Sequence, residues 1–366
     1  MARNTHTSPS GQDNSLAHIH GPENEEQNNA DPRQNALPAL TRTSYTMAWI
    51  CTRRIEMSAA IAALDSQHQP LAQSFSDPNI YTLGSIQKKN IVIAMTDPFT
   101  VTLITTMFPA LTVSIVMGIG SGVPVGTGIR LGDAVINTPL LPRGGAVRDD
   151  YDRAVRSGEL HHHHHHHQPS NVLLTALAQF ERDQTLLRSR VSGNLAQIQE
   201  TCAEFAHPGP EYDFLFQSEY EHTGGDCEAG CDMGYLIPRE EGGEGRLNAS
   251  PTVHRGLILY WDGGMRNGVA RDRMVENVNT IRGAMGWADD RKVLCFDSGA
   301  AGLMHHLPSL VVRGISDYAD SHASPRWQAY AAAVAAAVAR DLVRHVLATE
   351  DLLVDGEDER EEGHGN

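Results

Sequence analysis

Apolar and polar positions alternate in short blocks from about residue 45 to residue 347. Tyr45 to Cys51 is a short, mostly apolar run, the pattern of a strand covered on both faces. Ile55, Ala59, Ala62 and Ala63 then recur at helical spacing, predicting a helix from Ile55 to Leu64. Ile80 to Ile86 and Asn90 to Ala94 flank the polar Lys88-Lys89-Asn90 and predict a hairpin. Val113 to Met117 predicts a buried strand that runs into the glycine-rich segment Gly118-Ile119-Gly120-Ser121-Gly122. Asp133 to Asn137, His254 to Tyr260, Val293 to Phe296 and Ser309 to Ile315 predict further strands, and Asn171 to Phe180 an amphipathic helix. A long helix is predicted from Ser324 to Leu347, with Trp327, Val334, Val338, Leu342 and Val346 on one side. Ser324 serves as its N-cap, and Pro325 suits its first turn. Such alternation argues for one α/β domain over 45–347, a mixed sheet covered by helices.

The flanks differ. Residues 1–40 are rich in Asn, Gln, Ser, His and Pro and cannot bury enough apolar surface to offset ordering entropy, so they are predicted to be disordered. Residues 349–366 form an acidic tail, also predicted to be disordered. Pro139 to Thr252 has weaker periodicity, Gly/Pro clusters and a seven-His run, and is read as long loops inserted at about 139–252.

Charge narrows the partners. Twenty-nine Lys and Arg against 45 Asp and Glu give a net charge of −16. That balance disfavours a nucleic-acid backbone and an anionic membrane surface, both of which need clustered cations. No apolar run approaches the ~20 residues of a membrane span, and the polar N-terminus has no secretory h-region. Of 5 cysteines, Cys51 and Cys295 fall in predicted strands. Buried free thiols suit a reducing compartment, so a cytoplasmic location is expected.

Local chemistry offers several candidates. Glycines 118, 120 and 122 let a backbone approach an anion or a sugar, or simply make a tight turn; the spacing is not that of a dinucleotide fingerprint. Ser316-Asp317 follows an apolar strand, where α/β sheets place ligands, and Asp317 is either an acid or the cap of the next turn. Glu56 stands in the first turn of a helix, where the dipole alone favours a carboxylate. His161 to His167 would hold divalent metals weakly, as a loop repeat. His222, Cys227 and Cys231 fall one short of the four ligands a structural zinc needs, so no metal site is expected.

Taken in order, the motifs resemble fungal nucleoside phosphorylase-like domains of the nucleoside phosphorylase/nucleosidase superfamily. They are Tyr45-Thr-Met-Ala-Trp-Ile-Cys51 with Ile55-Glu56-Met57, Tyr81-Thr-Leu-Gly84, Met117-Gly-Ile-Gly-Ser-Gly-Val-Pro124 and Ile129-Arg-Leu-Gly-Asp133. Ala300-Ala-Gly-Leu-Met304, Val312-Arg-Gly-Ile-Ser-Asp-Tyr-Ala-Asp-Ser-His322 and Trp327-Gln-Ala-Tyr-Ala-Ala332 close the series. The resemblance implies a mixed, barrel-like central sheet flanked by helices, and cleavage of the N-glycosidic bond of a nucleoside. It assigns the acid at the base to Asp317 and the water-activating carboxylate to Glu56. Gly118, Gly120, Ser298, Gly299, Trp261 and Ser316 would contact the substrate.

The chain departs from the pattern where ribose is gripped. A Met-Glu pair is expected in the segment that reads Phe296-Asp297-Ser298-Gly299-Ala300-Ala301-Gly302, so the ribose carboxylate is missing at Gly299. Tyr260 and Trp261 replace a Ser-Gly pair and are expected to crowd the base pocket. The segment from Met95 to Phe108 is short for a substrate-side helix. Ile119 replaces the hydroxyl residue of phosphate-using relatives, so water is the expected acceptor. The expected partner is a small-molecule nucleoside, without cofactor or metal; homo-oligomerisation is open. The alternatives are a catalytically impaired nucleoside-binding or signalling module, or a decayed paralogue. No phosphate-binding Gly-x-x-x-x-Gly-Lys-Ser/Thr loop is present.

Overall fold

A computed structural model describes residues 40–137, 146–148, 169–238, 250–261, 263–284, 292–299, 303 and 307–346. Residues 1–39 of the tail expected at 1–40, the tail expected at 349–366 and the run His161 to His167 lie outside the described residues. In chain order the elements are β1 (Met47–Cys51), α1 (Arg54–Ala62), β2 (Ser66–Gln67), β3 (Ile80–Ile86), β4 (Lys89–Met95), α2 (Thr102–Met107) and β5 (Val113–Gly122). Then come β6 (Ala134–Asn137), β7 (Ala146–Arg148), α3 (Asn171–Thr185), α4 (Val191–Thr201) and α5 (Cys227–Gly230). The last are β8 (Val253–Tyr260), α6 (Gly268–Ala284), β9 (Val293–Asp297), β10 (Ser309–Asp317) and α7 (Gln328–His345).

Strand β5 organises the sheet. Its first half pairs in parallel with β1, most of its length pairs in parallel with β10, and Ser121-Gly122 pair antiparallel with β9. β10 continues to β6, β6 to β8 and β8 to β9, so five strands close into a barrel. Closure leaves those strands no free edge. From β5 the sheet also extends outward through β1, β4, β3 and β2. Val116, Val135, Ile258, Cys295, Val311 and Ile315 pack together in one core cluster. The expected mixed, barrel-like sheet flanked by helices is the fold observed.

Helix α7 covers the other face. Tyr330 to Ala339 are all buried, not one stripe as the sequence predicted. Alanine makes this possible, because a helix without bulk can be packed from every side. Gly314 of β10 leaves no space for a Cβ beside the Ala331 carbonyl, so strand and helix backbones lie against each other. Ser324 accepts from Arg326 N at 3.3 Å and caps a short 3-10 turn leading into α7.

Three expectations are corrected. The hairpin turn is Gln87-Lys88, with φ of 48° and 66°, and Asn90 is already in β4. Two central residues at positive φ match the twist of the flanking strands. Second, the glycine-rich segment is not a loop but the second half of β5. Third, the region at about 139–252 is not only loops: Val191, Leu195 and Ile198 of α4 join the core cluster of α7. Helix α6 also escaped the sequence reading, because only Met274 and Val278 mark its buried stripe among charged neighbours. No described helix is long and apolar enough to cross a membrane.

Candidate active site

A cavity of about 220 Å³ opens beyond the carboxyl ends of β5, β8, β9 and β10. Ligands of α/β sheets bind at such strand ends. Ile119, Gly120 and Ser121 of β5 line it, with Ser316 and Asp317 of β10 and Phe296, Asp297 and Ser298 at the end of β9. Trp261 follows β8, and Arg53 and Arg266 add positive charge.

Asp317 sits opposite Ser121 in the β10–β5 register. Ser316 Oγ donates to its Oδ2 at 3.0 Å, and Ala319 N donates to its Oδ1 at 3.0 Å. The second bond closes a turn in which Ala319 takes φ of 55°. Asp317 thus caps this turn and also lines the cleft.

Glu56 is 2 % exposed and does not line the cleft. Its Oε2 accepts from Thr52 N (2.8 Å), Arg53 N (3.0 Å) and Thr52 Oγ1 (3.2 Å), and its Oε1 accepts from Ile119 N of β5 at 3.0 Å. A carboxylate offers about four lone-pair sites, two on each oxygen; the three donors on Oε2 crowd that oxygen, while Oε1 is held by Ile119 N alone. Gly118 is glycine for a local reason: a Cβ there would collide with the Glu56 carboxylate. At Gly120 a Cβ would press on Cys295 Sγ at 2.5 Å. Both glycines permit close packing, and Gly120 lines the cleft. Glu56 and Asp317 meet the same short stretch of β5, through Ile119 and Ser121 respectively.

Gly299 N donates to Asp297 Oδ1 at 3.0 Å, and a Cβ on Gly299 would stand 2.8 Å from Thr52 Oγ1. A side chain at position 299 would therefore crowd Thr52. Thr52 links this corner to Glu56, so Gly299, Glu56 and Gly118 do come together. Asp297 turns its other oxygen to Arg313, whose Nη2 donates at 2.9 Å. Both residues are buried. Burial works against the Arg313 charge, but Asp297 and Glu56 more than offset it, and its pKa rises. Burial and then Asp297 raise the pKa of Cys295 and of Tyr260.

Tyr260 corrects an expectation: it lies in the core with Cys295 and is absent from the cleft wall, whereas Trp261 lines it. The sequence reading also missed Arg313, Arg53 and Arg266. A cation inside the apolar run Leu310 to Ile315 was the available signal for Arg313. A second cavity of about 50 Å³ shares Ser316, Asp317 and Ser324 and is also lined by Cys227, Asp320 and His322. Among the described residues, His222, Cys227 and Cys231 bring three potential metal-ligand atoms within 4.8 Å of one another.

No protein-family model matches the chain. A nucleotide-binding leucine-rich repeat (NLR)-like protein of Hyaloscypha variabilis is 34 % identical over 316 residues, 84 % of this chain and 30 % of that protein. The chain thus spans under a third of that relative's length. The 5'-methylthioadenosine/S-adenosylhomocysteine nucleosidase of Neisseria meningitidis, in complex with methylthio-immucillin-A, superposes with a TM-score of 0.50 at 16 % identity, covering 82 % of this chain and 98 % of that one. A putative 5'-methylthioadenosine/S-adenosylhomocysteine nucleosidase of Borrelia burgdorferi, bound to adenine, gives a TM-score of 0.50 at 12 % identity, covering 82 % and 99 %. The chain therefore shares the fold of these two nucleosidases.

Proposed function

We propose that the cleft binds a purine nucleoside, and that the chain descends from enzymes cleaving its N-glycosidic bond, with little turnover left in the present sequence. The observation that carries this reading is Asp317 on the wall of a cleft that also presents Trp261 and Phe296. Aromatic faces suit the face of a base, and a carboxyl beside them can hydrogen-bond or protonate a purine nitrogen. The glycosidic bond breaks through an oxocarbenium-like state and the purine leaves poorly as an anion, so protonation by Asp317 is the step the cleft favours. The B. burgdorferi neighbour is bound to adenine, which supports the same ligand class.

Glu56 is the candidate for activating water, and a base must reach the proton it removes. Its burial away from the cleft wall and the four bonds it accepts hold it back from that role. Gly299 supplies no carboxylate to the ribose, and Asp297 is engaged by Arg313. Both features argue for slow chemistry. Ile119 offers phosphate no hydroxyl, which favours water as acceptor; Arg53 and Arg266 on the same wall make phosphate the necessary control. Buried free thiols at Cys51 and Cys295 support a reducing, cytoplasmic setting.

The NLR-like relative favours a second reading, a nucleoside-responsive module of a longer protein. Incubation of the purified chain with a nucleoside panel, with and without phosphate, separates the two by assay of free base. The expected result is slow, phosphate-independent release that Asp317→Asn abolishes, or binding without release under the second reading. Turnover at about 1–1000 per second would contradict the impaired-site account, and release only with phosphate would overturn water as acceptor.

A further inference from the structure

The single turn of α5 places Cys227 and Cys231 on one side, with Cys231 N donating to Cys227 O at 3.1 Å. His222, from the preceding loop, brings Nδ1 to 3.2 Å from Cys231 Sγ and 3.7 Å from Cys227 Sγ. Zinc bound at about 2.3 Å from sulfur and about 2.0–2.1 Å from nitrogen, at tetrahedral angles, separates those two ligand atoms by about 3.5 Å. The two observed distances straddle that value. The other nitrogen of His222, Nε2, lies 3.0 Å from the Gly225 carbonyl. An N–H there fixes the tautomer that leaves the Nδ1 lone pair facing the thiols, the second-shell arrangement typical of metal-binding imidazoles.

A separate observation points to the fourth ligand. The His322 side chain is 4 % exposed, and neither ring nitrogen has a hydrogen-bond partner. The nearest carboxylate oxygen, Asp320 Oδ1, is 3.8 Å from Nδ1, beyond hydrogen-bonding reach. Leaving buried polar atoms unanswered costs about 1–3 kcal/mol each. The ring stacks on Phe216 at 4.2 Å and lies 5.4 Å, centre to centre, from the ring of His222. Two imidazoles sharing one tetrahedral zinc lie about 5 Å apart by the same bond lengths.

We propose that this chain binds one Zn²⁺ through His222 Nδ1, Cys227 Sγ, Cys231 Sγ and a ring nitrogen of His322. The first three atoms are already gathered, and the His322 ring turns toward them to complete four-coordination. This replaces the sequence expectation of no metal site, which found three ligands close together and could not see the fourth arriving from beyond β10. Cys227, His322 and Asp317 line the same small cavity. The ion therefore ties the loop carrying α5 to the segment that holds Asp317.

Cobalt substitution tests the site on the unmodified full chain, stripped of metal by a chelator under reductant. The expected spectrum has a thiolate-to-cobalt charge-transfer band and the intense visible bands of a tetrahedral ion, saturating at one equivalent and bleached by one equivalent of Zn²⁺. The run His161 to His167 cannot produce the thiolate band. The double substitution Cys227→Ser/Cys231→Ser is expected to abolish the band, and His322→Ala to weaken Zn²⁺ binding at least tenfold. Absence of the band from the unmodified chain would overturn the proposal. So would unchanged Zn²⁺ affinity in the double variant, or an unchanged spectrum and affinity in His322→Ala.

Discussion

Arg313 Nη2 donates to Asp297 Oδ2 at 2.9 Å, linking β10 to the end of β9 through a buried ion pair. Asp297 also lines the cleft, so this cleft carboxylate is already engaged by a buried cation. Removing one partner of a buried pair leaves an unanswered charge and costs about 3–5 kcal/mol. Arg313→Met is expected to lower stability by that amount in urea unfolding. Arg313→Met/Asp297→Leu is expected to recover most of it, because the pair is then replaced by apolar volume.

Gly118 and Gly193 are predicted to respond oppositely to alanine. At Gly118 the new Cβ meets a Glu56 carboxylate held by four hydrogen bonds, and overpacking of this kind costs about 1–3 kcal/mol. Gly193 is exposed in α4 with open space around it, so Gly193→Ala is expected to stabilise by about 0.5–1 kcal/mol through helix propensity. Thermal unfolding of the two variants against the unmodified chain checks the signs.

Acid should weaken the fold through its buried imidazoles. Burial lowers the pKa of His68, His207 and His345 below the ordinary 6.5. His207 Nδ1 accepts from Gly209 N at 2.9 Å, a bond that protonation there destroys. A histidine with a depressed folded pKa binds fewer protons than in the unfolded chain, so its stability contribution is complete above about 6.5 and falls as pH drops through the window below it. Asp320, raised to about 6 by burial, acts in the opposite sense between 3.8 and 6. The difference between variants isolates the histidine: His207→Gln is expected to flatten the decline in stability from pH 6.5 to pH 5.

Restoring the ribose motif needs a third substitution. A Cβ on Gly299 would lie 2.8 Å from Thr52 Oγ1 and 3.3 Å from Thr52 Cγ2. Thr52→Ala removes both atoms. Ser298→Met/Gly299→Glu is therefore expected to raise base release only when combined with Thr52→Ala. A charge-assisted hydrogen bond contributes roughly 1.5–3 kcal/mol, so the gain is on the order of ten- to hundredfold in kcat/KM. Equal activity of the double and triple variants in the free-base assay would refute the steric argument.

The sequence made the fold legible where side chains repeat with a period. Val113 to Met117 and Ser309 to Ile315 are mostly apolar because strands inside a closed sheet are covered on both faces. The continuation of β5 through Gly118 to Gly122 was not legible, because glycine carries no hydrophobic signal and commonly ends a strand; here it makes space for Glu56 and Cys295. Glu56, Gly118 and Asp317 could be picked out as candidates, but the bond that ties Glu56 Oε1 to β5 comes from Ile119 N, far away in sequence. Arg313 stood out only as a charge in an apolar run, since its partner Asp297 belongs to a different strand. Tyr260 and Trp261 are adjacent, but Tyr260 ends β8 in the core while Trp261, just past the strand, lines the cleft.

The central claim is that the Asp317 cleft is a purine nucleoside site. Calorimetric titration of the unmodified chain with adenine and adenosine, alongside Trp261→Ala and Asp317→Ala, tests it most directly. The account predicts saturable one-to-one binding of at least one of the two, weakened about tenfold or more by either substitution, since base stacking contributes about 1–3 kcal/mol. Binding that both substitutions leave unchanged, or no binding of either ligand to the unmodified chain, would contradict it.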